Sequence, residues 1–389
     1  TLITGYVKQG HSEECLNCFE QMQFEGASPN LVTFLSCLKA CSSIGAISQG
    51  EKIYSEIARV GLCETNHSIG NALVDMYAKC GFLCIAQKVL KEQHIRDVVS
   101  WSALITGFAQ QGQGHEALYC FEEMQSEHLS PDAITLASIL KACGTIGAID
   151  KGKHIHEEIV RLALLGDDIV LGNALVDMYV KFGMLEKARE VLEDLPYRNV
   201  ITWSTLIAGF AQHGRGHEAL HHFQQMQSEG ISPNPVTLIC VLNACGSMGA
   251  LDKGNEIYLS VLREGFLENN LMVSTALIDM YAKCGALERA REIFDSVWIR
   301  NVVTWNAIIG GYAQHGHAGE ALECFKRMQH EGFSPNAITY VCALKACGIL
   351  GCIVRGEEIH ADILRTRSIG KDTLIGNSLV DMYIKCGAL

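Results

Sequence analysis

The feature that most constrains this chain is a period of 102 residues. The stretch from Ile169 to Asn234 reads IVLGNALVDMYVKFGMLEKAREVLEDLPYRN and then VITWSTLIAGFAQHGRGHEALHHFQQMQSEGISPN. One period later the first half returns as LMVSTALIDMYAKCGALERAREIFDSVWIRN, and the second as VVTWNAIIGGYAQHGHAGEALECFKRMQHEGFSPN. Both halves also occur one period earlier, and the second occurs again, truncated, at Thr1. A chain of 389 residues would ordinarily suggest two or three domains. Tandem units of this size override that prior, because stacked neighbours share one continuous core.

Each period divides into motifs of 35, 36 and 31 residues. The 35-residue motifs span 1–30 (partial), 98–132, 200–234 and 302–336. The 36-residue motifs span 31–66, 133–168, 235–270 and 337–372. The 31-residue motifs span 67–97, 169–199, 271–301 and, cut off, 373–389. The sequence starts and stops in mid-motif, with no initiator Met or targeting segment, so it reads as an internal fragment of a longer array.

Each motif reads as two helices. In Asn71 to Gly81, Leu73, Met76, Tyr77 and Cys80 form one apolar stripe at i, i+3, i+4 and i+7. Asn71, Asp75 and Lys79 lie four apart on another face. Gly81, Gly183, Gly285 and Gly387 are placed to end these helices, since glycine accepts the left-handed conformation of a helix C-terminus. Ser-Pro-Asn or Ser-Pro-Asp stops the chain at Pro29, Pro131, Pro233 and Pro335, and the residue after each Pro is placed to cap the next helix. No segment alternates with period two, so no strand is expected. A hairpin this small buries its stripe only against the next hairpin, and constant offsets then generate a superhelix. The expected fold is all-α: an α-solenoid, elongated and right-handed, with the first helix of every motif lining its binding face.

Composition sets further bounds. Apolar residues make up 48% of the chain, only 6 residues are proline, and no apolar run reaches the length of a membrane span. The net charge of −12 opposes long-range steering toward phosphate, so any nucleic-acid site must be a local basic or neutral groove. The 17 cysteines suggest metal or disulfides, but the period argues otherwise. Cys15 and Cys18, after His11-Ser12-Glu13, imitate part of a zinc-deaminase signature. The Cys15 slot holds Ala117, Ala219 and Ala321 in other copies, and the Cys18 slot holds Cys120, His222 and Cys324. Cysteines spaced one per period cannot gather on one metal; they are expected as small reduced core residues. His154-Ile155-His156 fails the same test, because His156 maps to Tyr54, Tyr258 and His360. No metal, cofactor, nucleophile–base pair or phosphate loop is expected, and the chain is not expected to be an enzyme.

The tetratricopeptide pattern W-x2-L-G-x2-Y is missing, whereas VTWNAIIGGYAQHGHAGEALECFKRMQHEGFSPN resembles a pentatricopeptide motif along its full length. The 35–36–31 alternation resembles the plant PLS subclass, in which P, long (L) and short (S) motifs follow one another. LKACGTIGAIDKGKHIHEEIVR looks like an L motif and NALVDMYAKCGALERAREIFDSV like an S motif. The resemblance covers the whole chain. It implies sequence-specific binding of single-stranded RNA, one base per motif, through the fifth and last residues, with the protein N-terminus toward the RNA 5′ end. It also implies a mitochondrial or chloroplast location and, for the PLS subclass, specification of cytidine-to-uridine editing sites in organellar transcripts. The deaminase of such proteins is a C-terminal domain or a partner acting in trans, and none appears before Leu389. Splicing, stability or translation of organellar RNA is the alternative outcome; a protein-binding helical scaffold is the alternative of another class.

Carried onto this chain, the fifth and last residues of the P motifs are Ser102 with Asp132, Ser204 with Asn234, and Asn306 with Asn336. Those of the S motifs are Asn71 with Asp97, Asn173 with Asn199, and Thr275 with Asn301. Asn377 and Asn30 lack their counterparts within the sequence. An accepting Asp suits the ring N–H of uracil and guanine, and the NH2 of Asn suits the ring acceptor of adenine and cytosine. Ser or Thr leaves room for a purine, and the family pairs a fifth-position Asn with pyrimidines. Helix capping alone explains the last residue but not the recurring polar fifth. The L motifs depart from the pattern: their fifth residues Leu35, Ala137, Ile239 and Val341 cannot hydrogen-bond a base, so they are spacers or docking surface for editing cofactor proteins.

The second residues Val99, Ile201 and Val303 are either base wedges, as in the family, or packing at a helix start. Trp101, Trp203 and Trp305 sit in the apolar stripe and are expected in the core rather than as stacking platforms. Lys39, Lys141 and Lys345 in L motifs, and Lys79, Lys181, Lys283 and Lys385 in S motifs, could contact the RNA backbone. For the S-motif lysines an i,i+4 pair with Asp75, Asp177, Asp279 and Asp381 is the structural reading, and the two are compatible.

Overall fold

A computed structural model describes residues 2–62, 66–93, 95–166, 169–366 and 372–388. Cys63 and the motif limits at Thr1, Asp168 and Leu389 lie outside these residues. Helices and short connections make up the described chain, and no strand occurs among those residues.

Helices begin where the period places them, for example at Val98–Gln110, Ala133–Ile146 and Ile169–Lys181 in one period. The unequal motif lengths have a plain structural cause. In P motifs both helices have 13 residues, as in Val98–Gln110 and Gly114–Ser126. In L motifs the first helix gains a residue, as in Ala133–Ile146 with 14. In S motifs the second helix shrinks to 10, as in Leu185–Asp194. First helices end on glycines held at positive φ, Gly81 at 90° and Gly147 at 71° among them, where a side chain would be strained. Asn30, Asp132, Asn234 and Asn336 each cap the following helix.

The chain divides into two compact units, Thr1–Arg198 and Asn199–Leu389. Within each, the first helix of a motif packs on the first helices before and after it, and on its own second helix. Second helices form an outer layer, most of them seated between their own first helix and the next one. Contact is close where L meets S. A Cβ on Gly152 would lie 2.6 Å from Met178 Sδ, and one on Gly254 would lie 2.5 Å from Met280 Sδ, so a larger residue there would force the methionine side chains to move.

Three of the four tryptophans are core residues, and Trp298 is exposed. Trp101 and Trp203 are buried and donate from Nε1 to Glu127 and Glu229 at 2.9 and 3.1 Å. Trp305 is fully buried, edge-on to Phe294. Cys15, Cys37, Cys41, Cys120, Cys143, Cys245, Cys324 and Cys347 are buried as well. His222 is buried in the Cys120 slot, and His156 Nδ1 lies 2.8 Å from the Tyr179 hydroxyl, a packing role for both. Among the described residues no three His, Cys, Asp or Glu side chains gather as a metal site would require, and no helix is long and apolar enough to cross a membrane.

Burial pushes the Cys41 and Cys245 thiols up to about 12 and Cys347 to about 11, which removes the thiolate at neutral pH. Cys84 and Cys352 are exposed. A maleimide at pH 7 should therefore label these two in seconds to minutes in the native protein, and Cys41, Cys245 and Cys347 only after urea unfolding. Peptide mapping by mass spectrometry reads the outcome; native labelling of the three buried thiols at the rate of the exposed ones would contradict the packing.

Candidate nucleic-acid interface

The last residue of each P or S motif is the N-cap of the next helix. Asp132 Oδ1 accepts from Thr135 N–H at 2.8 Å, Asn234 Oδ1 from Thr237 N–H at 2.8 Å, and Asn336 Oδ1 from Thr339 N–H at 3.0 Å. Asp97 and Asn301 do the same for Ser100 and Thr304, both at 2.9 Å. Capping consumes one oxygen and thereby orients the other end of the side chain. An Asn so held turns its NH2 away from the helix; an Asp turns its second carboxylate oxygen.

The fifth residue, 26 or 30 positions earlier, reaches the same spot from its own first helix. Asn71 Nδ2 donates to both Asp97 oxygens, at 3.0 and 2.8 Å. Asn306 Nδ2 donates to Asn336 Oδ1 at 3.1 Å. Ser102 and Ser204 hydroxyls lie 3.5 and 3.4 Å from Asp132 Oδ1 and Asn234 Oδ1. Thr275 meets Asn301 indirectly: its hydroxyl is 2.9 Å from that of Thr304, which lies 3.0 Å from Asn301 Oδ1. Five of the six pairs named from sequence are thus brought together. Asn173 lies on Ile169–Lys181 in the first unit and Asn199 caps Val200–Gln212 in the second. Asn377 is exposed on Thr373–Lys385.

In the first unit these side chains line a groove of about 600 Å³. Leu35 and Lys39 of an L motif, Asn71, Asp75 and Lys79 of an S motif, and Val99, Ser102 and Thr106 of a P motif share it with Asp132 and Ile134. Val99, Ile201 and Val303 are more than half exposed, so they are not helix-start packing. The same slot is exposed and apolar in all but one of the other motifs: Val32, Ile134, Val236 and Ile338 in L motifs, Val170, Met272 and Leu374 in S motifs, with half-buried Ser68 the exception. These residues were legible from the repeat register but only exposure marks them as surface.

Charge is segregated. The first helices carry Lys8 and the seven lysines above against four aspartates, a net +4 within a chain of −12. The S-motif lysines are paired: Lys79 with Asp75 at 2.9 Å, Lys181 with Asp177 at 2.7 Å, Lys283 with Asp279 at 2.6 Å, Lys385 with Asp381 at 2.7 Å. Lys39, Lys141 and Lys345 are exposed, and among the described residues they form no ion pair.

Partial burial would raise the Asp97 carboxyl, but the hydrogen bonds from the Ser100 N–H and the Asn71 amide outweigh it and hold the group below its ordinary range. A depressed carboxylate stabilises the fold above its unfolded pKa of about 3.9 and loses that contribution as pH falls through the folded value. Asp97→Asn keeps the cap and removes the titration. Urea unfolding should show wild type ahead of the variant at pH 6, with the gap closing below pH ~4; a gap independent of pH would contradict the assignment.

A sequence model described as PPR repeat family matches residues 1–43, 96–145, 198–247 and 300–348, and one described as PPR repeat matches 173–200 and 273–302. A mitochondrial pentatricopeptide repeat-containing protein of Arabidopsis thaliana is 34% identical over 390 residues, covering 100% of this chain and 56% of its own length. A chloroplastic one from the same plant is 32% identical over 389 residues, covering 100% and 44%. The chain therefore spans about half the length of these curated relatives. Among solved structures, the maize pentatricopeptide repeat protein PPR10 aligns with a TM-score of 0.59 at 20% identity, over 99% of this chain and 66% of that one. PPR10 in complex with an 18-nt psaJ RNA element aligns with a TM-score of 0.69 at 18% identity, over 99% and 60%. This likeness identifies the fold as the α-solenoid of those structures.

Proposed function

The chain belongs to the pentatricopeptide repeat family, and from that premise we propose that it binds single-stranded RNA sequence-specifically, one base per P or S motif, and specifies sites of organellar cytidine-to-uridine editing. The observation that supports base reading best is the double use of the last residue. Its capped oxygen fixes the side chain, and the outward NH2 or carboxylate oxygen meets a base edge beside the fifth residue. Exposed apolar second residues on either side supply surfaces against which bases wedge. The relative solved with RNA supports the partner, and relatives labelled mitochondrial or chloroplastic support an organellar location. The 35–36–31 alternation supports the PLS subclass and, with it, editing. The deaminase is then supplied in cis outside this sequence or in trans, with editing cofactor proteins docking on the apolar fifth residues of the L motifs.

With the N-terminus toward the RNA 5′ end, Asn71/Asp97 takes U and Ser102/Asp132 takes G. Asn173/Asn199 takes a pyrimidine and Ser204/Asn234 takes A. Thr275/Asn301 takes A and Asn306/Asn336 a pyrimidine. L motifs are skipped, which gives 5′-U-G-n-Y-A-n-A-Y-3′. Selection from a random RNA library should enrich this core, and Ser102→Asn should move the second base from G toward U, because Asp132 still accepts a ring N–H. A selected sequence indifferent to that substitution would refute the pair assignment. Each wrong base should cost ~1–3 kcal/mol, by analogy with protein–DNA sites.

The unpaired L-motif lysines are assigned to phosphates, leaving L motifs a backbone role without a base. Replacing Lys39, Lys141 and Lys345 by Ala should weaken all RNAs alike and flatten the log K against log salt slope by about 2, at ~0.7 per single-strand phosphate. An unchanged slope would remove them from the interface.

A further inference from the structure

The third residue of each motif varies in step with the fifth residue of the motif before it. Behind the polar fifth residues stand Ser100, Thr135, Thr202, Thr237, Thr304 and Thr339. Behind the apolar fifth residues of the L motifs stand Ile69, Leu171, Val273 and Ile375. All ten side chains are buried to within 1%. One buried slot thus takes a hydroxyl whenever the neighbouring residue is polar and a hydrocarbon whenever it is not.

Capping explains only part of the hydroxyl: Ser100, Thr202 and Thr339 accept from the backbone N–H of Asp97, Asn199 and Asn336 at 3.2, 3.4 and 3.1 Å, closing a capping box, whereas among the described residues the caps at Thr135, Thr237 and Thr304 form without that bond. At the L-to-S junctions Asn66 caps Ser68 N–H at 3.0 Å, and Asn270 caps Met272 and Val273 N–H at 3.1 and 3.2 Å, with hydrocarbon in the third position. Burying a hydroxyl is costly unless it is used in a hydrogen bond. The second unit shows the use. Thr339 Oγ1 lies 2.6 Å from Asn306 Oδ1 and 2.9 Å from Asn336 Oδ1. Thr237 Oγ1 lies 2.5 Å from Ser204 Oγ and 2.9 Å from Asn234 Oδ1. Thr304 bridges Thr275 and Asn301 in the same way. In the first unit Thr135 Oγ1 lies 2.6 Å from Asp132 Oδ1, the oxygen that Ser102 also approaches. Ser100 is turned to the Asp97 carbonyl instead, and Asn71 Oδ1 is buried with no hydrogen-bond partner among the described residues.

We infer that this buried hydroxyl is a positioning residue, a third member of each base-reading unit that fixes which atoms of the fifth and last side chains face the base. The inference rests on the RNA reading proposed above. An unrestrained carboxamide can flip and exchange donor for acceptor, which erases the distinction between a ring N–H and a ring lone pair. The hydroxyl holds Asn306 by its oxygen, so its NH2 stays on Asn336 and the Asn336 NH2 stays outward.

Thr339→Val removes the hydroxyl and keeps the branched shape; Val273 already fills this slot elsewhere in the chain, so folding should survive. With RNAs randomised at single positions, the variant should lose roughly three- to tenfold of its pyrimidine preference at the Asn306/Asn336 base, the ratio matching one net hydrogen bond. The preference for A at Ser204/Asn234 should hold, and Thr339→Ser should restore the lost ratio. In RNA-free protein, the side-chain NH2 resonances of Asn306 and Asn336 should collapse toward those of free amides in Thr339→Val. Unchanged resonances overturn the inference. So do released amides with an intact base ratio, or equal loss of selectivity at both positions, since either makes the hydroxyl merely structural. If wild type selects no core at all, the RNA reading fails while the resonances still decide whether the hydroxyl positions the pair.

Discussion

The structure depends on a side-chain oxygen accepting the backbone N–H at the start of the next helix. A helix N-terminus leaves its first N–H groups without partners. Asn or Asp at each motif end satisfies one of them and fixes where the next hairpin begins. The same bond settles the surface chemistry, because a capped Asn can offer only its NH2 and a capped Asp only its second oxygen. Capping and the proposed base recognition are therefore compatible uses of the same residue, not rival explanations of it.

Burial of first-helix stripes against one another supplies the rest of the cohesion. Trp101, Trp203 and Trp305 and eight of the cysteines are buried in this packing, one small slot per repeat, so the cysteine pairs that imitate metal ligands in sequence belong to no cluster of three ligating side chains among the described residues. Packing also distributes charge. First helices must bury most of their surface and so carry few ionisable groups, mainly lysines at their C-terminal ends, where a cation meets the helix dipole favourably. The acidic residues collect on second helices and connections. An acidic chain thereby presents a first-helix layer of net positive charge.

The L motifs show how one slot can change task. They keep the exposed apolar second residue and, in three of the four, a lysine (Asn243 stands in the other), but lose the polar fifth residue and the hydroxyl behind it. Losing both together is economical in physical terms, since either polar group alone would be buried without its partner. The free L-motif lysines and the paired S-motif lysines follow from the same register: only the S helix places an Asp one turn before its lysine.

The sequence by itself determined the period, the two-helix motif, the left-handed glycines, the caps and the positions of the fifth and last residues. Each of these is a local or periodic property, set by backbone propensity and the 3.6-residue repeat. Tertiary structure decided what depends on contacts between helices 26 to 33 residues apart: that Asn71 reaches Asp97, that Thr275 reaches Asn301 only through Thr304, and that Thr339 bridges Asn306 and Asn336. It also decided between the two readings of Val99, which is exposed, whereas Trp101, two residues on, is buried as its place in the apolar stripe implied. Spacing alone could not do this, because a helix start faces both groove and core, and only the neighbouring hairpin determines which side chain it covers.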